Sequence, residues 1–164
     1  MGLWAVDVGR VRSDTEEIGK ECSLPVVAGV DGSPTSTRVI ARAIEQARWR
    51  NTSLKLVHVM NLPMVYTEVA INWDEVAEAQ RAAVWAGLEK VIDEADIAIE
   101  RVDLEGYPPD GLVEYANEVG ASLVVVGTRG RGDLASLILG STSHRAIHLA
   151  QSDVLVVRAR EEQG

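Results

Sequence analysis

Glycines, arginines and hydroxyl side chains are combined in residues 127–141, which read GTRGRGDLASLILGS. Glycines at the start of this segment let a backbone turn tightly and leave its amide N–H groups unshielded. The apolar run LVVV at 123–126 precedes it and indicates a buried parallel strand. A helix is predicted to begin after Gly140, and the free N–H groups of a helix start attract an anion. Strand, glycine loop and helix start in this order favour a bound phosphate group.

Two arginines, Arg129 and Arg131, add positive charge to this loop. The chain as a whole has a formal net charge of −9, from 16 basic and 25 acidic residues. A guanidinium group pairs well with phosphate oxygens, so the arginines are candidate counter-charges, the alternative being two solvated side chains. The acidic balance predicts no binding to nucleic acid, because the phosphate backbone would be repelled.

A second polar signal follows the first predicted strand, residues 25–30 (PVVAGV). A turn with Asp31 comes directly after this strand. A helix then begins, because Ser33 is a favourable N-cap and Pro34 suits the first helical position. The carboxylate of Asp31 and the glycine loop therefore each follow an apolar strand.

The elements that would position these residues alternate along the chain. Apolar stretches predict strands at 25–30, 54–60, 97–104, 123–126 and 154–157. Apolar residues at helical spacing predict helices from Pro34 and at about 73–93, 110–119 and 141–150. This alternation implies an α/β fold with a parallel sheet and helices on both faces. We expect one domain at 24–160, preceded by an extension at 1–23.

The expected strand order of this open five-stranded sheet is 3-2-1-4-5. In that order strands one and four lie side by side where the winding of the chain reverses, and open α/β sheets bind ligands outside the carboxyl ends of the strands at such points. Asp31 and Gly127 would then meet in one crevice. The spacing is neither that of a P-loop, since it lacks a G-K-[ST] ending, nor that of the dinucleotide fingerprint, which follows the first strand.

The sequence resembles the universal stress protein family, and specifically its ATP-binding branch. The resemblance covers residues 25–158 and is carried by VDGS at 30–33, LVHV at 56–59, ASLVVVG at 121–127 and the full glycine motif. It implies the fold called adenine nucleotide alpha-hydrolase-like. It also implies that the ligand is an adenine nucleotide.

The resemblance assigns roles to single residues. It makes Asp31 the contact for the ribose or the metal side of ATP, makes Val30 a flank of the base, and gives the backbone of Val59 and Val126 to the adenine. It assigns the phosphates to Gly127, Gly130, Gly140, Ser141 and Thr142. Mg²⁺ would arrive with ATP, with Asp31 as the one candidate protein ligand.

The expected function is that of an ATP-binding, nucleotide-responsive regulator or chaperone-like partner in the stress response. No acid–base partner is placed with the hydroxyls of 141–143, so we expect no catalytic residues and at most weak ATP hydrolysis. A sensor of cyclic AMP or AMP is the alternative. An adenylyl transferase or ATP pyrophosphatase would need a histidine-rich or Ser-Gly-Gly-x-Asp-Ser motif at the first turn, and VDGSP at 30–34 supplies neither.

The remaining expectations concern the location of the protein in the cell, its assembly and two further side chains. A single cysteine, Cys22, fits a reducing cytoplasm, and no apolar run approaches the ~20 residues of a membrane span. Residues 154–157 would form an apolar edge strand that a second copy covers, giving a homodimer; the resemblance implies the same. His58 is expected to be a packed core histidine, whereas Arg145 could either reach a phosphate or lie on the surface.

Overall fold

The computed structural model describes residues 24–61, 72–128 and 139–158. The predicted extension at 1–23 and residues 129–138 of the glycine motif, which include Arg129, Gly130 and Arg131, lie outside the described residues. The described elements, in chain order, are β1 (Val26–Gly29), α1 (Pro34–Arg50), β2 (Leu54–Met60), α2 (Trp73–Asp93), β3 (Ile99–Glu105), α3 (Pro108–Glu118), β4 (Leu123–Gly127), α4 (Ser141–Leu149) and β5 (Asp153–Val157).

The five strands form one parallel sheet in the order β3-β2-β1-β4-β5, which confirms the predicted topology. β1 lies at the centre and pairs with β2 on one side and with β4 on the other. In the described part of the chain no helix is both long enough and apolar enough to cross a membrane.

Helices cover both faces of the sheet, as expected. One core lies between the sheet and α1 with α2, and it contains fully buried residues such as Val26, Ile40 and Leu56. The other core lies between the sheet and α3 with α4, and it contains Val27 and Leu112. Successive residues of a strand point to opposite faces, so the continuously apolar strands feed both cores at once.

Several element boundaries differ from the sequence expectation by one residue, and the starts of β3 and α3 differ by two. The third strand was expected at 97–104 but runs from Ile99 to Glu105, on the outer side of β2. The third helix was expected at 110–119 but begins at Pro108, because a proline already has the φ angle of a first helical residue and lacks only an N–H that would be unpaired there. Gly120 follows this helix with φ +63°, a conformation that favours glycine.

Ser33 occupies the N-cap position of α1, as predicted, although its side chain makes no capping hydrogen bond. The Ser33 carbonyl instead accepts from the Ser36 amide at 2.9 Å. The side-chain hydrogen bonds of this turn centre on Asp31.

His58 is buried, as expected of a core histidine, and it has a partner that the sequence analysis missed. Its Nδ1 lies 3.1 Å from Asp103 Oδ1 on the neighbouring strand. The same carboxylate accepts hydrogen bonds from Trp85 Nε1 on α2, at 3.1 and 3.0 Å to its two oxygens. Asp103 therefore ties α2 to the edge of the sheet and satisfies two polar groups that would otherwise be buried without partners.

Lys55 lies near the amino end of β2, and its pKa leads to a prediction of how stability depends on pH. The hydrogen bond that its ammonium donates to Glu100 raises the pKa of Lys55 above the ordinary 10.5, nearby Tyr115 adds to the rise, and burial opposes it. A raised folded-state pKa stabilises the protein below the unfolded-state pKa, and that stabilisation is lost as pH rises through the folded value. We expect the free energy of unfolding to fall above about pH 10.5 less steeply in Lys55→Met than in the wild type.

Urea denaturation at pH 8 to 11.5 measures this, with the exposed Lys90→Met as the control that should follow the wild type. Identical pH profiles for the wild type and Lys55→Met would contradict the role given to the Lys55–Glu100 pair.

Candidate functional site

The carboxyl ends of β1, β2 and β4 meet at one edge of the sheet. Ala28 pairs with Val125, so the same register places Val30, directly after β1, beside Gly127, the last residue of β4. The Val30 amide also donates to the Val57 carbonyl at 2.9 Å, which extends the β1–β2 contact toward Val59. Parallel pairing thus brings these three chain ends to one crevice, the place where open α/β sheets bind ligands.

Asp31 begins the turn from β1 into α1 and is held there by a compact set of hydrogen bonds. Its Oδ1 accepts from the Ser33 amide at 3.0 Å and from Ser36 Oγ at 2.8 Å. The Asp31 amide in turn donates to Ser36 Oγ at 3.1 Å. An aspartate bonded to the amide two residues on forms an Asx turn, so Asp31 fixes the turn and its own carboxylate position together.

The start of α4 is brought to the end of β4 by the backbone. The Thr128 amide donates to the Val157 carbonyl at 2.8 Å, which continues the β4–β5 ladder by one residue. The Thr128 carbonyl then accepts from the Gly140 amide at 2.7 Å. The two ends of the glycine motif are therefore in direct contact, whatever path lies between them.

The N-terminus of α4 is suited to an anion. Gly140 is its N-cap and brings no side chain to the helix start, and no acidic residue lies in the first turn. The buried hydroxyl of Ser143 is directed backwards and donates to the Gly140 carbonyl at 2.9 Å, so it does not compete for the amides. The first-turn amides, which include those of Ser141 and Thr142, and the positive end of the helix dipole are what a phosphate requires.

The three valines expected around a base differ in how they are buried. Val30 and Val126 are only 5% and 2% exposed as whole residues, and their side chains pack in the two opposite cores. Their side chains are therefore occupied by core packing. Val59 is only partly buried, so it is the valine whose side chain can line the crevice.

Arg145 forms an ion pair between two helix starts. Its Nε lies 2.6 Å from Asp110 Oδ1 at the start of α3, so it bridges α3 and α4. Both helices begin at the carboxyl edge of the sheet, so this half-exposed pair lies at the same edge as the candidate site. His144 and His148 are exposed on the same helix with ring centroids 4.5 Å apart, and the described residues contain no group of three or more His, Cys, Asp or Glu that could hold a metal ion.

Two further residues of the site were missed in the sequence. Ser36 holds the Asp31 carboxylate, and an aspartate followed by serine five residues later was the available signal. Gly111 of α3 lies against Val59, with an ideal Cβ at position 111 falling 3.0 Å from Val59 Cγ1. No short-range pattern connects Gly111 with Val59, because the contact joins residues 52 positions apart.

Comparisons with known proteins agree with this geometry. A model described as the universal stress protein family matches residues 24–158. A universal stress protein of Mycobacterium tuberculosis is 34% identical over 157 residues, covering 92% of this chain and 51% of that protein. The chain thus spans about half the length of the curated relatives that it matches at this identity.

Two solved structures are similar in both sequence and fold. A universal stress protein in complex with cAMP is 31% identical, with a TM-score of 0.63, over 82% of this chain and 96% of that chain. A universal stress protein from Archaeoglobus fulgidus in complex with dAMP is 26% identical, with a TM-score of 0.56, over 82% and 97%.

The hydrogen bonds of Asp31 give a prediction on stability. Asp31→Ala removes the acceptor of the Ser33 amide and of Ser36 Oγ, so we expect it to lower the free energy of unfolding by about 1 kcal/mol, as for a lost helix cap. Asp31→Asn retains an Oδ1 acceptor and should stay within about half of that loss. Urea denaturation of both variants measures the difference, and equal stability of the alanine variant and the wild type would argue against the structural part of this role.

Proposed function

The chain belongs to the universal stress protein family, and we propose that it binds ATP in the crevice at the carboxyl ends of β1, β2 and β4. The observation that carries the proposal is the hydrogen bond from the Gly140 amide to the Thr128 carbonyl. It holds a helix start without a side-chain cap at the end of β4, the strand that pairs with β1 and so ends at the same edge as the turn with Asp31. A phosphate site and a hydroxyl-binding carboxylate within one crevice are what a nucleotide uses.

An adenine nucleotide is the ligand class that the solved relatives favour, since they were obtained with cAMP and dAMP. The choice of ATP within that class is our proposal. It is supported by the length of the glycine motif, which offers amides over more than one phosphate group. In this proposal Asp31 binds the ribose, Val30, Val59 and Val126 border the base, and the phosphate contacts are Gly127, Gly130, Gly140, Ser141 and Thr142.

Arg129 and Arg131 act in this proposal as counter-charges for the phosphates. A magnesium ion fits the donor chemistry, because Mg²⁺ in nucleotide sites keeps several waters and binds one or two carboxylates together with the phosphates. As the alternative to its ribose contact, Asp31 would be the protein ligand of this ion, and the ion would supply charge neutralisation on the phosphates.

We further propose that binding, and not turnover, is the activity, with the protein acting as a nucleotide-responsive regulator in the cytoplasm. Asp31 Oδ1 already accepts two hydrogen bonds from the protein, which suits a positioning role better than proton abstraction. Hydrolysis slower than about one per second would agree with regulation, since typical enzymes exceed that rate. The single cysteine of the chain supports a reducing compartment.

A sensor of cAMP or AMP is the second candidate. It is favoured by the 31% identical relative solved with cAMP. The base and ribose contacts would be shared between the two candidates, so the phosphate region alone decides between them.

Nucleotide binding is tested by Gly140→Val. Gly140 has φ −64° and ψ 161°, a conformation that valine adopts without strain, so the substitution adds bulk and leaves the backbone geometry intact. We expect the affinity for ATP to fall by more than about tenfold, which is 1.4 kcal/mol of binding free energy.

Calorimetric titration with ATP, AMP and cAMP, with and without Mg²⁺, measures this affinity. The control is Gly87→Val on α2, where an added Cβ meets nothing within 4 Å. ATP binding by Gly140→Val at the wild-type affinity would refute the phosphate assignment, and a wild-type preference for cAMP would favour the second candidate.

A homodimer formed through residues 154–157 is also proposed. β5 is an outer strand of the sheet, and its central residues Val154, Leu155 and Val156 are apolar and only partly buried. Exposed apolar side chains of the adjacent helix, Ile147 and Leu149, extend this surface. A second copy of β5 would satisfy the outward backbone groups of the strand and cover its apolar edge.

The dimer is tested through the outward backbone N–H groups of β5. The Val157 carbonyl faces β4, since it accepts from the Thr128 amide, so Val156 directs its own N–H and C=O outward. We expect Val156→Pro, which removes an outward donor, to give monomers in sedimentation at micromolar concentration. Val154→Thr keeps the β-branched shape and the backbone donor and should remain a dimer. A wild type that sediments as a monomer would refute the interface.

A further inference from the structure

We propose that Gly29 and Gly111 are positioning residues for the base of the nucleotide, because they let α3 pack closely enough to fix Val59. The inference rests on the proposed nucleotide site and deepens it. It assigns the shape of the base-contacting wall to two glycines outside the glycine motif. The ligands affected are those that carry an adenine base.

The first contact joins α3 to the end of β2. A Cβ built on Gly111 would lie 3.0 Å from Val59 Cγ1, which is tighter than most Cβ contacts in proteins, and 3.5 Å from Cγ2, an ordinary van der Waals distance. A side chain at position 111 therefore requires Val59 Cγ1 to shift by a few tenths of an ångström. Since Val59 is the partly exposed valine of the crevice, an atom added at Gly111 displaces the wall that faces the base.

The second contact joins α3 to the end of β1, and here the glycine belongs to the strand and the side chain to the helix. A Cβ built on Gly29 would lie 2.6 Å from Leu112 Cδ2, a distance that atoms in proteins do not tolerate. Leu112 is 1% exposed and packed among its neighbours, so it has little room to move aside. Gly29 of β1 thus makes room for the side chain of Leu112 in α3. One residue earlier in α3, Gly111 makes room for the side chain of Val59 in β2.

A backbone bond fixes the start of α3 at the same place. The Gly106 amide, in the turn before α3, donates to the Met60 carbonyl at 2.9 Å, directly after Val59. The Gly111 amide donates to the Tyr107 carbonyl at 3.0 Å and closes the first helical turn. The helix start is thus anchored to the end of β2, so we expect a side chain added at Gly111 to displace Val59 and not α3 alone.

The consequence is a separation between two parts of the site. The phosphate contacts belong to α4 and the glycine motif, whereas the base wall is set by the packing of α3 against β1 and β2. A misfit of about one methyl group in an apolar pocket changes affinity by roughly tenfold or more. Gly111→Ala should therefore weaken ATP binding although alanine is a better helix former than glycine.

The experiment is a double-mutant cycle on ATP affinity with Gly111→Ala, Val59→Ala and the two together. We expect Gly111→Ala alone to weaken ATP binding about tenfold. In the Val59→Ala background, where the contacting methyl groups are absent, the same substitution should have an effect of less than about twofold. Gly87→Ala, also a helical glycine but with nothing within 4 Å of an added Cβ, is the matched control and should bind as the wild type does.

Melting temperatures are recorded for the same proteins, because a purely structural role for Gly111 would lower the melting temperature without changing the affinity of the folded protein. Equal ATP affinity of Gly111→Ala and Gly87→Ala would overturn this inference while leaving the proposed function in place. An equal loss in both backgrounds of the cycle would overturn it as well, since Val59 would then not carry the effect. A wild type that binds no adenine nucleotide would instead overturn the proposed function itself.

Discussion

Parallel pairing of β1 with β4 is the constraint on which the rest of the structure depends. These two strands are far apart in the chain, yet their register sets Ala28 beside Val125 and brings the turn after each strand to the same edge. Crossovers between parallel strands are right-handed, so the helices of the two halves of the sheet lie on opposite faces and the winding reverses between β1 and β4. The crevice at that reversal therefore follows from the strand order. The residues after each strand are already placed there, so they need only have chemical groups that suit the ligand.

The electrostatics of the crevice are local. The chain has a net charge of −9, which would repel a polyanion such as ATP at long range. Charges beyond a Debye length, about 8 Å at physiological ionic strength, are largely screened, whereas backbone amides act on a phosphate at hydrogen-bond distance. Because amides add no net charge, a helix start at Gly140 can favour an anion within an acidic protein.

The fold was predictable because its signals are short-range and repeated. β2 and α2 have the predicted bounds, since an apolar run and a helical period define each of them over many residues. The ends of β3 were not predictable to the residue, because an outer strand has one neighbour and its burial pattern is weak. Ser33 shows a similar limit: its type suited an N-cap, but the competing Asp31–Ser36 hydrogen bond determined how the turn was closed.

Sequence reasoning missed Ser36, only five residues from Asp31, and it also missed contacts between distant elements of the site and of the fold. Gly111 against Val59 and Asp103 beneath Trp85 each join residues that no local spacing relates. A glycine inside a helix reads as a weak point in a sequence, since glycine costs about 1 kcal/mol relative to alanine there. Only the packed structure shows that the space which a side chain at position 111 would need lies against Val59. This contact gives a reason for a glycine in the helix.

The proposed nucleotide and dimer surfaces share one element, α4, and this has a physical consequence for how a signal could pass between them. The base wall is continuous with two packed cores, because Val30 and Val126 are buried in opposite layers, and packed cores resist small displacements. The start of α4 is held to β4 by the backbone bond at Gly140, while Ile147 and Leu149 near its other end are exposed beside β5. A ligand that binds the helix start more tightly in one position of α4 would favour that position, and the exposed end would move with it because a helix is stiff. Within the proposed function, α4 is therefore the described helix that would contact the phosphates at its start and the second copy near its end.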